Sequence, residues 1–342
     1  MATRGSSISD VARQAGVSIS TVSKALNNTG RLSTETRARV LAAAADLHFR
    51  PNALIRSLQG GRTHAVGVFT WEFREDASRD ITMHLARGMA EGIASAGYDM
   101  LVFSHFAGRT PDRAAATLLD GRIDGLIVGP GQLDATGLAA VAQSGLPLVV
   151  VYQRAEVPEN VGWVAIANAA GVTAAVRHLI DLGHRRIAFH APLHSADFGE
   201  RAAAYHDALL THGIPPDPAL RVTPDSSGTL SVGDACDRLL RLADPPTAIL
   251  AGDDHRALLW IEELRRRRIA VPDEMSVIGF DDAVAAAHFA PGLTTIRQPA
   301  ADVGRRAAGF VTALIDGASA GECRTVLPVE FIPRGTTAPP RS

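Results

Sequence analysis

The stretch SISDVARQAGVSISTVSKALNN, residues 7–28, carries two short helical patterns separated by one glycine. In the first pattern, apolar residues recur at the spacing of one helix face: Ile8, Val11, Ala12 and Ala15. Ser7, followed three residues later by Asp10, fits an N-terminal capping box. Gly16 then ends the pattern and permits a tight turn. The stretch predicts a helix that ends at this glycine.

A second helix is predicted after Ser18, whose hydroxyl can cap the first turn. Its inward face would consist of Val22, Ala25 and Leu26. A third run, STETRARVLAAAADLHF at residues 33–49, places four apolar residues on one face: Val40, Leu41, Ala44 and Leu47. Pro51 lies beyond its end. Three short helices with a glycine turn between the first two predict a helix-turn-helix module.

The outward face of the second helix would be the one that enters a DNA major groove. Lys24, the only lysine in the chain, lies on this face and could donate to guanine, while Ile19 could contact a thymine methyl. Hydroxyls at Ser18, Thr21 and Ser23 suit phosphate oxygens. A three-helix protein-interaction module is the alternative.

Charge divides unevenly along the 342 residues, whose formal net charge is −2. Residues 1–62 hold nine basic and three acidic side chains, whereas the remainder holds 25 basic and 33 acidic ones. A cationic head on an anionic body indicates that the head meets a polyanion.

Composition places the chain among soluble globular proteins, with 46% hydrophobic and 20% charged residues. No apolar run approaches the length of a membrane span, and the N-terminus lacks the apolar core of a secretory signal. We therefore expect a cytoplasmic, nucleoid-associated protein that contacts no membrane. Cys236 and Cys323 build no disulfide framework and have no metal-ligand spacing around them.

From residue 64 onward, apolar strand-like runs alternate with helical ones. About ten strands are predicted, too many for one core, so we expect two α/β lobes of doubly wound parallel sheets.

The helix-turn-helix stretch and several fragments of the body together resemble the LacI/GalR family of bacterial transcription regulators. The resemblance rests on ISDVARQAGVSISTVSKALNN and on DGLIVG, HLIDLGHRRIAF, SVIGFDD and LTTIRQP, which follow in family order over nearly the whole chain. It implies a homodimer on a pseudo-palindromic operator and a body similar to periplasmic sugar-binding proteins. The effector would lie in the cleft between the lobes.

By the same resemblance, Ile19, Ser20 and Lys24 read bases, while Ser18, Thr21, Ser23 and Asn27 lie near the DNA backbone. PNALIRSLQ, residues 51–59, would form a hinge helix that orders on DNA and inserts Leu58 into the minor groove. The family more often has alanine where this chain has Ile55.

Effector residues are expected beyond the carboxyl ends of the strands. The family implies that Arg201, Asp253 and Asp281 hold effector hydroxyls through charge-assisted hydrogen bonds. The second acid of each pair, Asp254 or Asp282, is expected to cap a helix.

The expected pocket departs from the family pattern. Arg79 begins the segment that replaces a common Asn-Pro-Phe-Phe, and the preceding loop carries Trp71, which could stack on a sugar. Ala167 replaces an aspartate before Asn168, and His190 begins a pair that replaces a common Gly-Gly. Arg79 and Trp71 complete the effector residues that we predict.

No P-loop motif and no H-E-x-x-H zinc-protease motif occurs in the sequence. We therefore predict a regulator, most often a repressor in this family, with no catalytic residue, metal or cofactor and with a sugar or sugar derivative as effector. A solute-binding protein or a carbohydrate-processing enzyme sharing the body fold is the alternative. Induction and corepression both stay open.

The predicted organisation runs from a DNA-binding domain at residues 1–50, through a hinge helix and linker at 51–62, to a body at 63–335. Its N-lobe would comprise 63–164 and 293–320, and its C-lobe 165–292 and 321–335. Residues 336–342 would form a tail without apolar heptads, so a dimer is preferred to a tetramer.

Overall fold

The structure, a computed structural model, describes residues 7–26, 30–47, 49, 61–69, 79–103, 116–192, 195–223 and 231–341. The chain divides into two compact units, Met1–Thr63 and His64–Ser342, which we call the head and the body. Side chains are described from residue 81 onward in the helix that begins at residue 79.

The described residues of the head form three helices, α1 (Ile8–Ala15), α2 (Ile19–Leu26) and α3 (Thr34–Asp46). Their core is apolar and small: Val11, Ala12, Ala15, Val22, Ala25, Val40, Ala43 and Ala44. The predicted inward faces of α1 and α2 are therefore confirmed. The prediction for Leu41 is wrong, because its side chain is 48% exposed. One residue after Val40 is about 100° around the helix, so Ala43 takes the inward position instead.

The first sheet of the body has six parallel strands in the order β11-β5-β4-β3-β1-β2. They are β1 (Ala65–Phe69), β2 (Asp99–Phe103), β3 (Gly125–Val128), β4 (Leu148–Val151), β5 (Gly162–Ile166) and β11 (Arg324–Leu327). The helices that accompany them are α4 (Arg79–Ser95), α5 (Ala135–Gln143) and α11 (Ala300–Ile315). Helices α4 and α11 can approach closely because Gly88 and Gly304 have no side chain. A Cβ at either position would meet the backbone of the other helix.

The second sheet has four parallel strands in the order β7-β6-β8-β9. They are β6 (Ile187–His190), β7 (Arg221–Val222), β8 (Ala248–Ala251) and β9 (Ser276–Ile278). The α-helices described in this half are α6 (Asn168–Asp181), α7 (Ala196–Thr211), α8 (Val232–Leu240), α9 (Asp254–Arg266) and α10 (Val284–His288). A separate antiparallel pair, β10 (Thr295–Arg297) with β12 (Glu330–Ile332), completes the body.

The structure corrects one expected lobe limit, because β11 lies in the first sheet although residues 321–335 were expected in the C-lobe. Its register is fixed by parallel pairing with β5, in which Arg324 lies opposite Trp163. Residues expected as a tail also belong to the body. Thr336 is buried, and its carbonyl oxygen accepts from the Val277 N–H at 2.8 Å along the edge of the second sheet.

Candidate functional sites

The turn between α1 and α2 is built as the sequence predicts. The Ser7 side chain accepts from the Asp10 N–H, and the Asp10 side chain accepts from the Ser7 N–H, which completes the capping box. Gly16 ends α1 in the left-handed region, with φ of 63°, a conformation that glycine adopts without the clash of a Cβ. The Ser18 hydroxyl accepts from the Thr21 N–H at 3.2 Å, so Ser18 caps α2.

One face of α2 is left open by this packing. Ile19, Ser20 and Lys24 are exposed, as is Ser18, whereas Thr21 and Ser23 are half-buried. The Ser18 Oγ lies 2.9 Å from both Ser20 Oγ and Thr21 Oγ1, so these hydroxyls form a local network. The described residues among the predicted DNA contacts therefore lie together on α2 and on Ser18, which caps it. Asn27 and Leu58 lie outside the described residues.

In the body, Arg201 lies in the second turn of α7 and its side chain is only 3% exposed. Its guanidinium donates to three groups: to Asn168 Oδ1 at 2.9 Å, to the Gly252 carbonyl oxygen at 2.6 Å and to Asp197 Oδ2 at 3.3 Å. It also lies over the Phe280 ring, 3.6 Å from the centroid. This buried cation is held in one orientation by hydrogen bonds and by a cation–π contact.

Asp281 follows β9 and is also buried, with its backbone in the left-handed region at φ of 128°. Gln298 Nε2 donates to its Oδ1 at 2.5 Å. Burial raises the pKa of Asp281 well above its usual value, although the Arg201 charge acts in the opposite direction. The predicted pair of Arg201 and Asp281 therefore lies within one buried electrostatic cluster.

The contacts of the two aspartate pairs, Asp253–Asp254 and Asp281–Asp282, differ from those expected from the sequence. Asp253, not Asp254, caps α9, because its Oδ1 accepts from the Arg256 N–H at 2.7 Å. Asp254 instead accepts from the Ala283 N–H at 2.8 Å and from the Thr295 hydroxyl at 2.5 Å. The expected capping role of Asp254 is wrong, because α9 begins one residue earlier than that role requires.

Asp282 does not cap a helix either. Its carboxylate bridges two arginines, Arg297 Nε at 2.7 Å and Arg334 Nη2 at 2.6 Å. Arg297 is the last residue of β10 and Arg334 follows β12, so Asp282 links the ends of this antiparallel pair. Its φ of 58° places its backbone in the left-handed region.

Several polar residues of the cluster were not predicted from the sequence. Tyr152 follows β4 with a buried hydroxyl that has no hydrogen-bond partner in the described part of the chain, and the same holds for Gln298 Oε1. Burial and the nearby Asp281 and Asp197 charges raise the pKa of Tyr152, which keeps the phenol neutral. The apolar run PLVVVYQ, residues 147–153, predicts a strand, and the position of Tyr152 near its end was the available signal.

Two predicted effector residues stay without a description: Trp71 lies outside the described residues, and the side chain of Arg79 is not described. No group of histidine, cysteine, aspartate or glutamate side chains forms a candidate metal cluster within the described ranges. Within the same ranges no helix is long and apolar enough to cross a membrane.

The head and body define a class, that of transcription regulators in which a helix-turn-helix module is joined to a ligand-binding body. Residues 7–52 match the model of bacterial regulatory proteins of the lacI family, and residues 176–337 match that of a periplasmic binding protein-like domain. The chain is 31% identical to the HTH-type transcriptional regulator DegA of Bacillus subtilis (strain 168), over 97% of this chain and 98% of the relative. It belongs to the lacI family.

Other relatives agree. The HTH-type transcriptional regulator GalR of Escherichia coli (strain K12) is 30% identical over 97% of this chain and 96% of its own. Among solved structures, the lac repressor dimer bound to operator and the anti-inducer ONPF has a TM-score of 0.82 at 26% identity, covering 98% and 100% of the two chains. The complex of the regulator CelR with cellobiose has a TM-score of 0.70 at 26% identity, covering 97% and 99%.

These relatives confirm the predicted class and fold. The protein is a DNA-binding transcriptional regulator with a body for a small-molecule effector, and it is not an enzyme. The alternative of a solute-binding protein or carbohydrate-processing enzyme is not supported.

Proposed function

We propose that the protein is a homodimeric repressor that acts in the cytoplasm, at the nucleoid, on a pseudo-palindromic operator. A sugar or sugar derivative, bound beside Arg201 and Asp281, controls its affinity for DNA. The proposed effector site is supported by the buried polar cluster at the strand ends, in which the Tyr152 hydroxyl and Gln298 Oε1 lack partners among the described residues. A purely structural network would leave few such atoms, since each one costs free energy.

Sugar hydroxyls suit these atoms because a hydroxyl both donates and accepts. It can donate to Gln298 Oε1 and pair with Tyr152 Oη in either direction. Relatives support this chemistry, since CelR has been solved with cellobiose and another lacI-family regulator, from Enterococcus faecium, with ribose. Asp253 has a weaker claim to the effector than Arg201 or Asp281, because Arg256 already occupies both of its oxygens.

On the DNA, Ile19, Ser20 and Lys24 are proposed to read base edges from the exposed face of α2. Ser18, Thr21, Ser23 and Asn27 would contact the backbone, and Leu58 would enter the minor groove. The lac repressor dimer, solved on its operator, supports both the DNA partner and the dimer.

Control of DNA binding requires that the effector bind two states of the body with different affinity. Couplings of about 1 to 3 kcal/mol are typical and would change operator affinity about 5- to 150-fold. Release of the operator by a sugar is the expected direction.

The test is selection of genomic DNA fragments by the purified full chain at low salt, followed by titration of the enriched site with a carbohydrate panel. Enrichment of one palindromic sequence, and a change in its affinity with one sugar, are the expected results. A failure to enrich any palindrome, with or without the sugars, would contradict the repressor. Enrichment without any response to a sugar would contradict the effector class alone.

A further inference from the structure

His190 lies at the end of β6, next to the proposed effector cluster. The Gly252 N–H donates to its carbonyl oxygen at 2.7 Å, and the carbonyl oxygen of Gly252 is a partner of Arg201. The His190 side chain is 2% exposed. It packs against α9, where its ring meets the indole of Trp260 edge-on, with centroids 5.7 Å apart.

The contact with Trp260 determines where the imidazole proton lies. Trp260 Nε1 is 2.8 Å from His190 Nδ1, and an indole nitrogen is only a donor. Nδ1 must therefore present its lone pair, so the single proton of the neutral ring is on Nε2. Burial, reinforced by the Arg256 charge, lowers the pKa of His190 to about 4, which keeps the ring neutral at pH 7.

The Nε2–H of His190 is a buried donor that has no hydrogen-bond partner within the described ranges. Leaving such a group unpaired destabilises a folded chain. The neighbouring acid offers no relief, because both oxygens of Asp253 are engaged by Arg256. His190 ends β6 and Asp253 follows β8. Of these two side chains, the one with an unpartnered atom is therefore His190 and not Asp253.

The charges around His190 indicate which ligand it would meet. Each of the two arginines of this cluster already holds a carboxylate, Arg201 that of Asp197 and Arg256 that of Asp253. Neither is left as a free cation for a phosphate or carboxylate. The unpartnered atoms nearby are uncharged, namely Tyr152 Oη, Gln298 Oε1 and His190 Nε2.

We propose that His190 determines effector specificity, donating from Nε2–H to a hydroxyl or carbonyl oxygen of an uncharged, polyhydroxylated ligand. This rests on the proposed function, which places the effector at these strand ends. A phosphorylated or carboxylated sugar is excluded as the preferred effector, because it would bring a negative charge to a site whose arginines are already neutralised.

The first experiment uses the unliganded full chain. Long-range ¹H–¹⁵N spectra should show His190 protonated at Nε2 and bare at Nδ1 at pH 7. In a Trp260→Phe background, adding His190→Leu should raise the midpoint of chemical denaturation, because the substitution removes a buried donor that has no partner. Protonation at Nδ1, or a lower midpoint for the second substitution, would assign His190 a structural hydrogen bond and overturn the proposal.

The second experiment measures binding by calorimetry with D-glucose, D-ribose and cellobiose, and with the matched D-glucose 6-phosphate and D-ribose 5-phosphate. Wild type should bind an uncharged member, and His190→Leu should weaken it about tenfold, the effect of about one lost hydrogen bond. His190→Gln, which can accept from Trp260 and still donate, should restore most of the affinity. The exposed His206→Leu is the control and should bind like wild type.

The outcomes separate this proposal from the proposed function. Tighter binding of a phosphate ester than of its parent sugar, or unchanged affinity in His190→Leu, overturns the role of His190 while leaving a sugar-controlled regulator intact. If wild type binds none of the five probes, the sugar effector is contradicted. The proton position and the denaturation midpoints still decide whether His190 holds a donor without a structural partner.

Discussion

The central carbon of the Arg201 guanidinium lies over the Phe280 ring, 3.6 Å from its centroid, and 5.0 Å from the centroid of Phe198. The same group donates to Asn168, Gly252 and Asp197. Asn168 in turn donates to Glu200 at 3.2 Å, and Glu200 accepts from Arg154 at 2.8 Å. The orientation of Arg201 is therefore coupled to Arg154, which follows β4 of the first sheet.

Arg201→Lys should lower effector affinity at least tenfold, because an ammonium retains the charge but loses the planar contact and the divergent donors. It should also lower the midpoint of thermal unfolding without ligand, since Asn168 and Asp197 lose a buried partner. Calorimetry with a sugar that wild type binds, and thermal scans of the unliganded chain, measure the two effects. The exposed Arg177→Lys is the matched control. Wild-type values for both quantities in Arg201→Lys would contradict its place in the site.

Tyr152→Phe should weaken effector binding without destabilising the unliganded protein, because the hydroxyl it removes has no partner in the described chain. Tyr205→Phe is the matched control, since its hydroxyl donates to the Ile187 carbonyl oxygen at 2.7 Å. That substitution should lower the free energy of unfolding by about 1 kcal/mol and leave effector affinity unchanged. Chemical denaturation and calorimetry measure both. Equal destabilisation by the two variants would show that Tyr152 has a structural partner.

Much of the fold was predictable because it follows from local patterns. The glycine turn, the capping box and the alternation of buried strands with helices each depend on residues close in sequence. The site was predictable only as far as strand ends locate it. Whether Asp253 or Asp254 caps α9 depends on where the helix begins, a one-residue difference that periodicity does not resolve.

The unpartnered atoms were not predictable at all. A partner for Tyr152 or Gln298 would have to come from residues far away in sequence, and only the folded chain brings such residues together. His190 was visible as a departure from the family pattern, but its proton position depends on Trp260, which lies 70 residues later. Leu41 shows a different, local limit: helical spacing predicts it on the inward face, but Ala43, two residues later, faces the core instead.

Asp254→Asn should change how stability depends on pH. Burial raises the pKa of Asp254 to about 7, from a usual value of 3.8. Between these values the folded protein holds a proton that the unfolded chain releases, so the free energy of unfolding falls as pH rises. Asparagine binds no proton, and its side chain can still accept from Ala283 N–H and donate to Thr295. Relative to wild type, the variant should therefore gain stability as pH rises through this window.

Chemical denaturation at a series of pH values gives the wild-type-to-variant difference directly. Asp181→Asn, on the exposed end of α6, is the matched control for loss of a carboxylate. A difference that stays constant from pH 4 to pH 7 would contradict the raised pKa. A difference of the opposite slope would mean that the folded state favours the charged form.

Gly16→Ala should loosen the head without any steric contact. Apart from its two chain neighbours, no described residue has a heavy atom within 4 Å of a Cβ built at Gly16, so the cost is that of left-handed backbone alone, about 1 to 2 kcal/mol. Amide hydrogens of α1 and α2 should exchange about 5- to 30-fold faster. Gly199→Ala, in the first turn of α7 and equally free of contacts beyond its own helix, should instead stabilise the body by about 0.5 to 1 kcal/mol. Unchanged exchange in the head would contradict the conformational requirement at Gly16.

Lys24→Ala should change which operator the protein prefers. Lys24 is exposed on α2, and its stem passes close to Gly30, where a built Cβ would lie 3.2 Å from Lys24 Cδ. The opposite face of α2 is packed in the core through Val22 and Ala25. Loss of a specific base contact should cost about 1 to 3 kcal/mol at one symmetric position of the operator and relax the preference there. Selection from randomised operator libraries measures this directly.

Lys24→Arg separates charge from geometry, because a planar guanidinium and a compact ammonium present donors differently. An altered base at the same position is expected, with total affinity largely retained. Arg13→Ala serves as the control: it removes a cation from α1 and should weaken all sequences to a similar extent, with a shallower salt dependence. A uniform loss for Lys24→Ala as well would make Lys24 a phosphate contact, and its being the only lysine of the chain would then have no bearing on operator sequence.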